Sequence, residues 1–134
     1  MAFKVEPVEG SKIASIPETG SIYDGATKLT PKFAAIAAAA ADVNTLVAAV
    51  AGKKIRVLAL WIVAGAAGNI YFTSGAGGTV IAGGSTNTIN LAANGGFVLP
   101  FSASGWLETE VGKLLNMNAS STGPFGGGVV YVEV

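Results

Sequence analysis

The chain has 134 residues, of which 51% are hydrophobic and only 12% charged, and its formal net charge is +0. Because there is no cysteine and no histidine, the composition excludes disulfides, thiolate nucleophiles, Ser-His-Asp triads and nearly all zinc or haem sites. A neutral, charge-poor chain also argues against nucleic-acid binding, which needs a basic surface. The length fits a single domain, and so few charges favour a surface hidden against other protein.

The first 32 residues differ in character from the rest. They hold half of the charged residues and three of the five prolines, and their apolar residues follow no helical period. Such a segment cannot close a core of its own. It is therefore either a disordered tail or an extended N-terminal arm, residues 1–32, that orders on a partner. In the second case Ile13, Ile16, Ile22 and Tyr23 would bind the partner, since spaced apolar residues suit strand addition.

Residues 33–52 allow two interpretations. Their many alanines favour a helix with one apolar face. Against the helix, Asp42 and Asn44 would compete for backbone groups in its interior, and in a membrane-spanning helix they would lie near the bilayer centre at a cost of a few kcal/mol. The alternative is two strands, 32–39 and 45–50, joined by a turn. Local propensity alone slightly favours the helix.

The chain is organised around the stretch from Lys53 to Thr73, in which Val57–Val63 has no polar residue. Successive side chains of a strand point to opposite faces. One face would hold Ile55, Val57, Ala59, Trp61 and Val63, and the other would hold Leu58, Leu60 and Ile62. A strand that is apolar on both faces is covered on both, by a second sheet, a helix or a neighbouring subunit. We expect Leu58, Leu60 and Ile62 to lie at a subunit interface.

Beyond this strand, short alternating runs are separated by glycine-rich turns. Asn94-Gly95 favours a hairpin, because both central residues of a type I′ turn need positive φ. We count about eight strands at a spacing of ~8–15 residues, which predicts a sandwich or jelly roll. This domain would occupy residues 33–134.

Few short patterns could carry chemistry. The glycine-rich runs 75–78 and 83–85 lack the lysine that a phosphate-binding loop needs. Glu108 and Glu110 give too few ligands for calcium. If exposed, they could form a glycan- or partner-binding strip with Trp106. No catalytic residue, cofactor site or metal site is predicted, and we expect the protein not to be an enzyme.

Several segments resemble small virion structural proteins of tailed bacteriophages. They are 32–38, 44–50, 52–58, 91–100, 105–106, 110–115 and 129–134, and the likeness covers residues 30–134. The resemblance implies an antiparallel β-sandwich of jelly-roll type, which favours strands over a helix after Phe33. The arm before residue 30 lies outside the likeness.

The resemblance also implies a function. Capsid decoration (cement) proteins of this kind commonly form homotrimers that clamp neighbouring capsomers. The expected protein is then a non-enzymatic virion component on the capsid surface, assembled in the host bacterial cytoplasm without a secretory signal. Its partner would be the major capsid protein or another virion protein, with no nucleic acid and no membrane. The alternative is a tail- or fibre-associated module that contacts another virion protein or a host surface glycan, the latter through Trp106 and Tyr131.

Overall fold

The computed structural model describes residues 21–134. This part of the chain forms twelve β-strands and no helix, and every strand pair is antiparallel. The prediction of two strands within residues 32–50 is therefore confirmed, and the helical interpretation is wrong. Within the described range no helix could cross a membrane.

The strands form one small hairpin and two five-stranded sheets. The hairpin consists of β1 (Ile22–Asp24) and β2 (Thr27–Leu29). Sheet 1 contains β3 (Lys32–Ala38), β5 (Ile55–Ala64), β9 (Gly96–Leu99), β10 (Leu107–Glu108) and β12 (Phe125–Glu133). Sheet 2 contains β4 (Asp42–Val47), β6 (Gly68–Ser74), β7 (Thr79–Ala82), β8 (Ile89–Leu91) and β11 (Leu115–Ala119).

Each sheet is four strands wide. Sheet 1 has the order β10-β5-β12-β3, and β9 also pairs with β5; sheet 2 has the order β4-β11-β6-β7, and β8 also pairs with β6. One edge of each sheet is thus built from two short strands in place of one long strand. These divided edges and the β1–β2 hairpin explain why the strand count exceeds the predicted number of about eight.

The two sheets share one hydrophobic core, as the layers of a β-sandwich do. Ile36, Leu60 and Phe125 come from sheet 1, and Phe72 and Met117 come from sheet 2. All five side chains are almost completely buried.

A β-bulge in β5 changes which of its side chains point inward. Tyr131 of β12 pairs with Val57 and Val130 pairs with Ala59, so Leu58 has no partner in β12. An extra residue of this kind shifts the alternation of the strand by one. The predicted division of β5 into two constant faces is therefore wrong. The core receives Ile55, Val57, Leu60, Ile62 and Ala64.

Asp42 and Asn44, the two residues that are unfavourable inside a helix, form the corner between β3 and β4. Asp42 has a left-handed φ of 68°. The side chain of Asn44 accepts a hydrogen bond from the Ala40 amide (3.2 Å) and donates one to the Ala40 carbonyl (2.8 Å). These local bonds turn the chain from sheet 1 into sheet 2.

The hairpin predicted at Asn94-Gly95 is also wrong. A tight turn is present, with φ of 62° at Asn94 and a 2.9 Å bond from the Gly95 amide to the Ala92 carbonyl. However, β8 before the turn belongs to sheet 2 and β9 after it belongs to sheet 1. The backbone amide of Asn94 donates a hydrogen bond to the Ala64 carbonyl (2.7 Å), so the turn packs against the end of β5.

Candidate interaction surface

The outward side of sheet 1 carries an exposed apolar surface at its centre. Directly paired residues of neighbouring strands share a face, and the pairing places Trp61 beside Val98 and Gly128, and Val63 beside Gly126. Phe33, Ala35 and Ala37 complete the surface on β3. We call these eight residues the apolar face: Phe33, Ala35, Ala37, Trp61, Val63, Val98, Gly126 and Gly128. None of them is ionisable.

The large side chains of the apolar face are unusually exposed for their type. Phe33 is 65% exposed, Trp61 50%, Val63 45% and Val98 69%. Single exposed apolar residues are common on proteins, whereas a contiguous patch of them marks an interaction site. This patch therefore has the character of a binding surface.

Glycines keep the middle of the apolar face flat. A Cβ on Gly128 would lie 2.6 Å from the Phe33 ring and 2.9 Å from Trp61 Nε1, whereas a Cβ on Gly126 would meet nothing closer than 4.0 Å. The rings of Phe33 and Trp61 therefore close over Gly128 and leave Gly126 open. Gly126 lies in a groove of about 530 Å³ that Trp61, Val63 and Pro124 also line.

The remainder of the same sheet surface is covered by the chain itself. Ile22 of β1 packs with Leu58 and Val132 in a second small core, and Leu29 and Val130 pack against it. Leu58 is 0% exposed. The hairpin thus covers the end of the sheet that is remote from the groove.

The residues predicted to form a subunit interface lie inside this single chain. Leu60 and Ile62 belong to the shared core, and Leu58 is covered by the hairpin. The outward side chains of the same strand are Trp61 and Val63. The bulge separates the two sets, so an interface made by β5 would use this exposed pair.

The predicted partner-binding arm is described only in part. Ile13 and Ile16 lie outside the described residues. Ile22 is buried against its own domain, and Tyr23 is half-buried in β1. Residues 22–29 form the hairpin, and Lys32 begins β3, so the described end of residues 1–32 packs on the domain.

Charged side chains gather at the end of sheet 1 that lies away from the groove. Lys32 Nζ donates to Glu133 Oε1 at 3.0 Å. This hydrogen bond, together with the negative charge of Glu133, holds the pKa of Lys32 above its ordinary value. Glu108 lies 3.5 Å from Arg56 Nε and 3.7 Å from Lys54 Nζ. These pairs join residues outside the apolar face, which itself contains no ionisable residue.

The outward side of sheet 2 has the opposite chemistry. The Asn116 side chain accepts a hydrogen bond from the backbone amide of Asn44 (3.0 Å). It donates to Thr73 Oγ1 (2.9 Å) and Asn118 Oδ1 (2.6 Å). Asn118 in turn donates to Tyr71 Oη (2.9 Å). We call the side chains of Tyr71, Thr73, Asn116 and Asn118, together with the backbone amide of Asn44, the polar ladder. Its polar groups satisfy one another within one chain.

The side chains of the predicted strip, Trp106, Glu108 and Glu110, are exposed, and each also makes a contact within the chain. Trp106 Nε1 donates to the Pro100 carbonyl (2.6 Å), and Glu110 accepts from Thr79 Oγ1 (3.0 Å). Tyr131, the other aromatic residue considered for glycan binding, packs against the shared core. In residues 21–134 no three acidic side chains come close enough to hold a metal ion.

Sequence reasoning missed most of the apolar face. One available signal was β3 itself, because Phe33–Ala38 contains no polar residue although only one side of the strand faces the core. The glycine run 126–128 was a second signal, since a central strand seldom lacks side chains without a close contact.

The chain matches no protein-family model, and comparison with curated proteins and with solved structures also finds no match.

Proposed function

We propose that this protein is a non-enzymatic structural component of a bacteriophage virion. In this proposal it is a capsid decoration protein that binds the outside of the head and stabilises neighbouring capsomers. Its basis is the resemblance of residues 30–134 to small virion proteins, together with two features of the fold.

The first feature is the nested pairing of the strands. β3 pairs with β12, β4 with β11, β5 with β9 and β10, and β6 with β7 and β8. The first strand of the two sheets thus pairs with the last, the second with the next to last, and so on inward. Winding a long hairpin over two sheets gives this order, which supports a jelly roll, an architecture common in viral capsid proteins.

The second feature, which carries the proposal, is the apolar face. A protein whose task is to pack against other proteins needs a surface that is unfavourable in water until it is covered. The exposed side chains of Phe33, Trp61 and Val98 provide such a surface. The proposed assembly is a homotrimer on the capsid surface.

The contact with the major capsid protein is assigned in this proposal to the segment before the hairpin, which contains Ile13 and Ile16. The hairpin itself is already committed to its own domain through Ile22. A truncation that tests the segment should therefore stop at residue 20, because removal of residues 22–29 would uncover Leu58 and Val132.

Binding to capsids tests the proposal. The full-length protein should cosediment saturably with heads of its phage prepared without it, and should raise the temperature at which those heads lose their DNA. A chain that begins at residue 21 should keep its circular dichroism spectrum and no longer bind. Full-length protein that does not cosediment would contradict the function, and binding that survives the truncation would contradict the role of residues 1–20.

A further inference from the structure

We propose that the apolar face is the surface through which copies of this chain dock on one another. This inference deepens the proposed function, on which it rests for the expectation that several copies act together. Its test needs no capsid, so a failure here is distinguishable from a failure to bind the head.

Charge is the first argument for a second copy as the occupant. A partner that placed an ionisable group over the apolar face would bury that group without a counter-ion, which is strongly unfavourable. A second apolar face contains no ionisable residue. Two apolar faces from two copies can therefore pack together without burying any charged group of either face.

The hairpin provides the second argument, because it shows how this chain already covers the same sheet. Ile22 and Leu29 cover Leu58 and Val132 with aliphatic side chains. The apolar face continues this surface across β3, β12, β5 and β9. Aliphatic and aromatic groups from another copy would complete a cover that the hairpin begins.

Shape is the third argument, since the face combines exposed side chains with a recess. Phe33 lies at one end with its ring over Gly128, and the groove beside Ala37 and Gly126 lies four residues further along β3, about 13 Å away at the usual rise of a strand. The groove, at about 530 Å³, can receive an apolar side chain of a neighbour such as Val98, which is 69% exposed. Because these exposed side chains and the recess lie at different positions, such contacts can run head to tail and close into a ring.

The loops beside the groove extend this uncharged surface. Gly65, Asn94 and Pro124 line the groove from the loops that follow β5, β8 and β11. The connecting segments 65–67, 92–95 and 120–124 contain no ionisable residue. A neighbour that covers the apolar face can therefore extend over these loops without meeting a charge.

The experiment compares two valines that are both exposed on short edge strands. Val98 lies on the apolar face, whereas Val80 pairs with Thr73 on the outward side of sheet 2. Native mass is measured by light scattering after size-exclusion chromatography on the full-length wild-type chain, Val98→Lys and Val80→Lys. Phe33→Lys is a second test of the face on a different strand. Circular dichroism checks that each variant is folded.

The wild-type chain and Val80→Lys are expected to have the mass of several chains, three for the proposed trimer. Val98→Lys and Phe33→Lys are expected to be folded single chains. A wild-type chain that stays monomeric over a wide concentration range would overturn the inference, as would folded lysine variants of the face that keep the assembled mass. In the monomeric case, poor quenching of Trp61 by acrylamide in a Trp106→Phe variant would mean that the chain's own residues cover the face. Ready quenching would mean that the face is free to bind a different protein.

Discussion

The outward sides of the two sheets of this protein carry opposite chemistry. On sheet 2, the polar ladder joins Asn116 to Asn44, Thr73 and Asn118 through hydrogen bonds between 2.6 and 3.0 Å. On sheet 1, the apolar face leaves Phe33 and Trp61 at least half exposed. The first surface satisfies its groups within one chain, whereas the second does not. The difference indicates which side of the molecule is built to be covered.

The same contrast recurs within sheet 1. Leu58 and Trp61 lie three positions apart on β5 and both point outward. Leu58 is covered by Ile22 of the hairpin, and Trp61 has no comparable cover within residues 21–134. The outward side of one strand thus passes from a surface that the chain buries to one that it leaves bare.

The largest expected effect comes from the strand that carries the centre of the apolar face. A Cβ on Gly127 would lie 1.9 Å from the Trp61 carbonyl oxygen, which is backbone and cannot move aside cheaply. Gly127→Ala should therefore force β12 away from β5 and lower the free energy of unfolding by about 3 kcal/mol or more. Gly126→Ala is the matched control, because the nearest atom to its Cβ would be the Ile36 carbonyl oxygen at 4.0 Å. It should be neutral or stabilise by about 0.5 kcal/mol.

Urea denaturation of both glycine variants measures this difference. Equal stabilities for Gly127→Ala and Gly126→Ala would mean that β12 does not lie against β5 as closely as described.

The next largest effect is a difference in stability between variants in the covered and the exposed parts of the outward side of sheet 1. Leu58→Ala removes a fully buried side chain from the small core beneath the hairpin, and should cost about 3 kcal/mol. Val98→Ala removes an exposed one, and should change the stability of the single chain by about 0.5 kcal/mol or less. Denaturation at concentrations where the chain is monomeric gives both values. A small loss for Leu58→Ala would show that the hairpin does not cover this residue.

A smaller loss is expected on the polar side of the comparison. Asn116→Ala leaves the Asn44 amide and Thr73 Oγ1 without a partner that they use in the native state. Unsatisfied groups of this kind cost about 2 kcal/mol. Asn69→Ala, an exposed residue on the same face, should stay within about 0.5 kcal/mol of the wild type. Thermal unfolding distinguishes the two, and similar melting temperatures would argue against the polar ladder.

The smallest effect concerns the ion pair of Lys32 and Glu133. Because the folded-state pKa of Lys32 is raised, the pair stabilises the fold fully below the unfolded-state pKa of lysine. That contribution is lost as the pH rises through the folded-state pKa. Lys32→Gln should therefore be slightly less stable than the wild type at neutral pH, and the gap should close in strongly alkaline solution. Thermal melting as a function of pH measures this difference in stability. A difference that stays the same at all pH values would show that it does not come from the charge of the Lys32 ammonium group.

Much of the architecture follows from local sequence, because turns and strand lengths are encoded locally. The apolar run Val57–Val63 identified the strand β5, and glycine-rich segments marked most strand ends. Asp42 and Asn44 supplied the signal that broke the potential helix after Phe33, although alanine content alone favoured the opposite result. In this case turn chemistry outweighed helix propensity.

The candidate surface could not be derived in the same way. Alternation alone assigned Leu58, Leu60 and Ile62 to one face, and only the pairing with β12 reveals that Leu58 is the extra residue of a bulge. The position of the apolar face also depends on which strands become neighbours. Phe33 and Trp61 are distant in sequence and meet only because both β3 and β5 flank β12.

Trp61 fluorescence offers the most direct measurement of whether copies of the chain cover the apolar face. In a full-length Trp106→Phe variant, Trp61 is the only tryptophan. Its emission should be blue-shifted and resistant to acrylamide at high protein concentration, and should move to the red and become quenchable on dilution. An emission maximum and quenching constant that stay the same from the highest to the lowest concentration would contradict the covering of this face by a second copy.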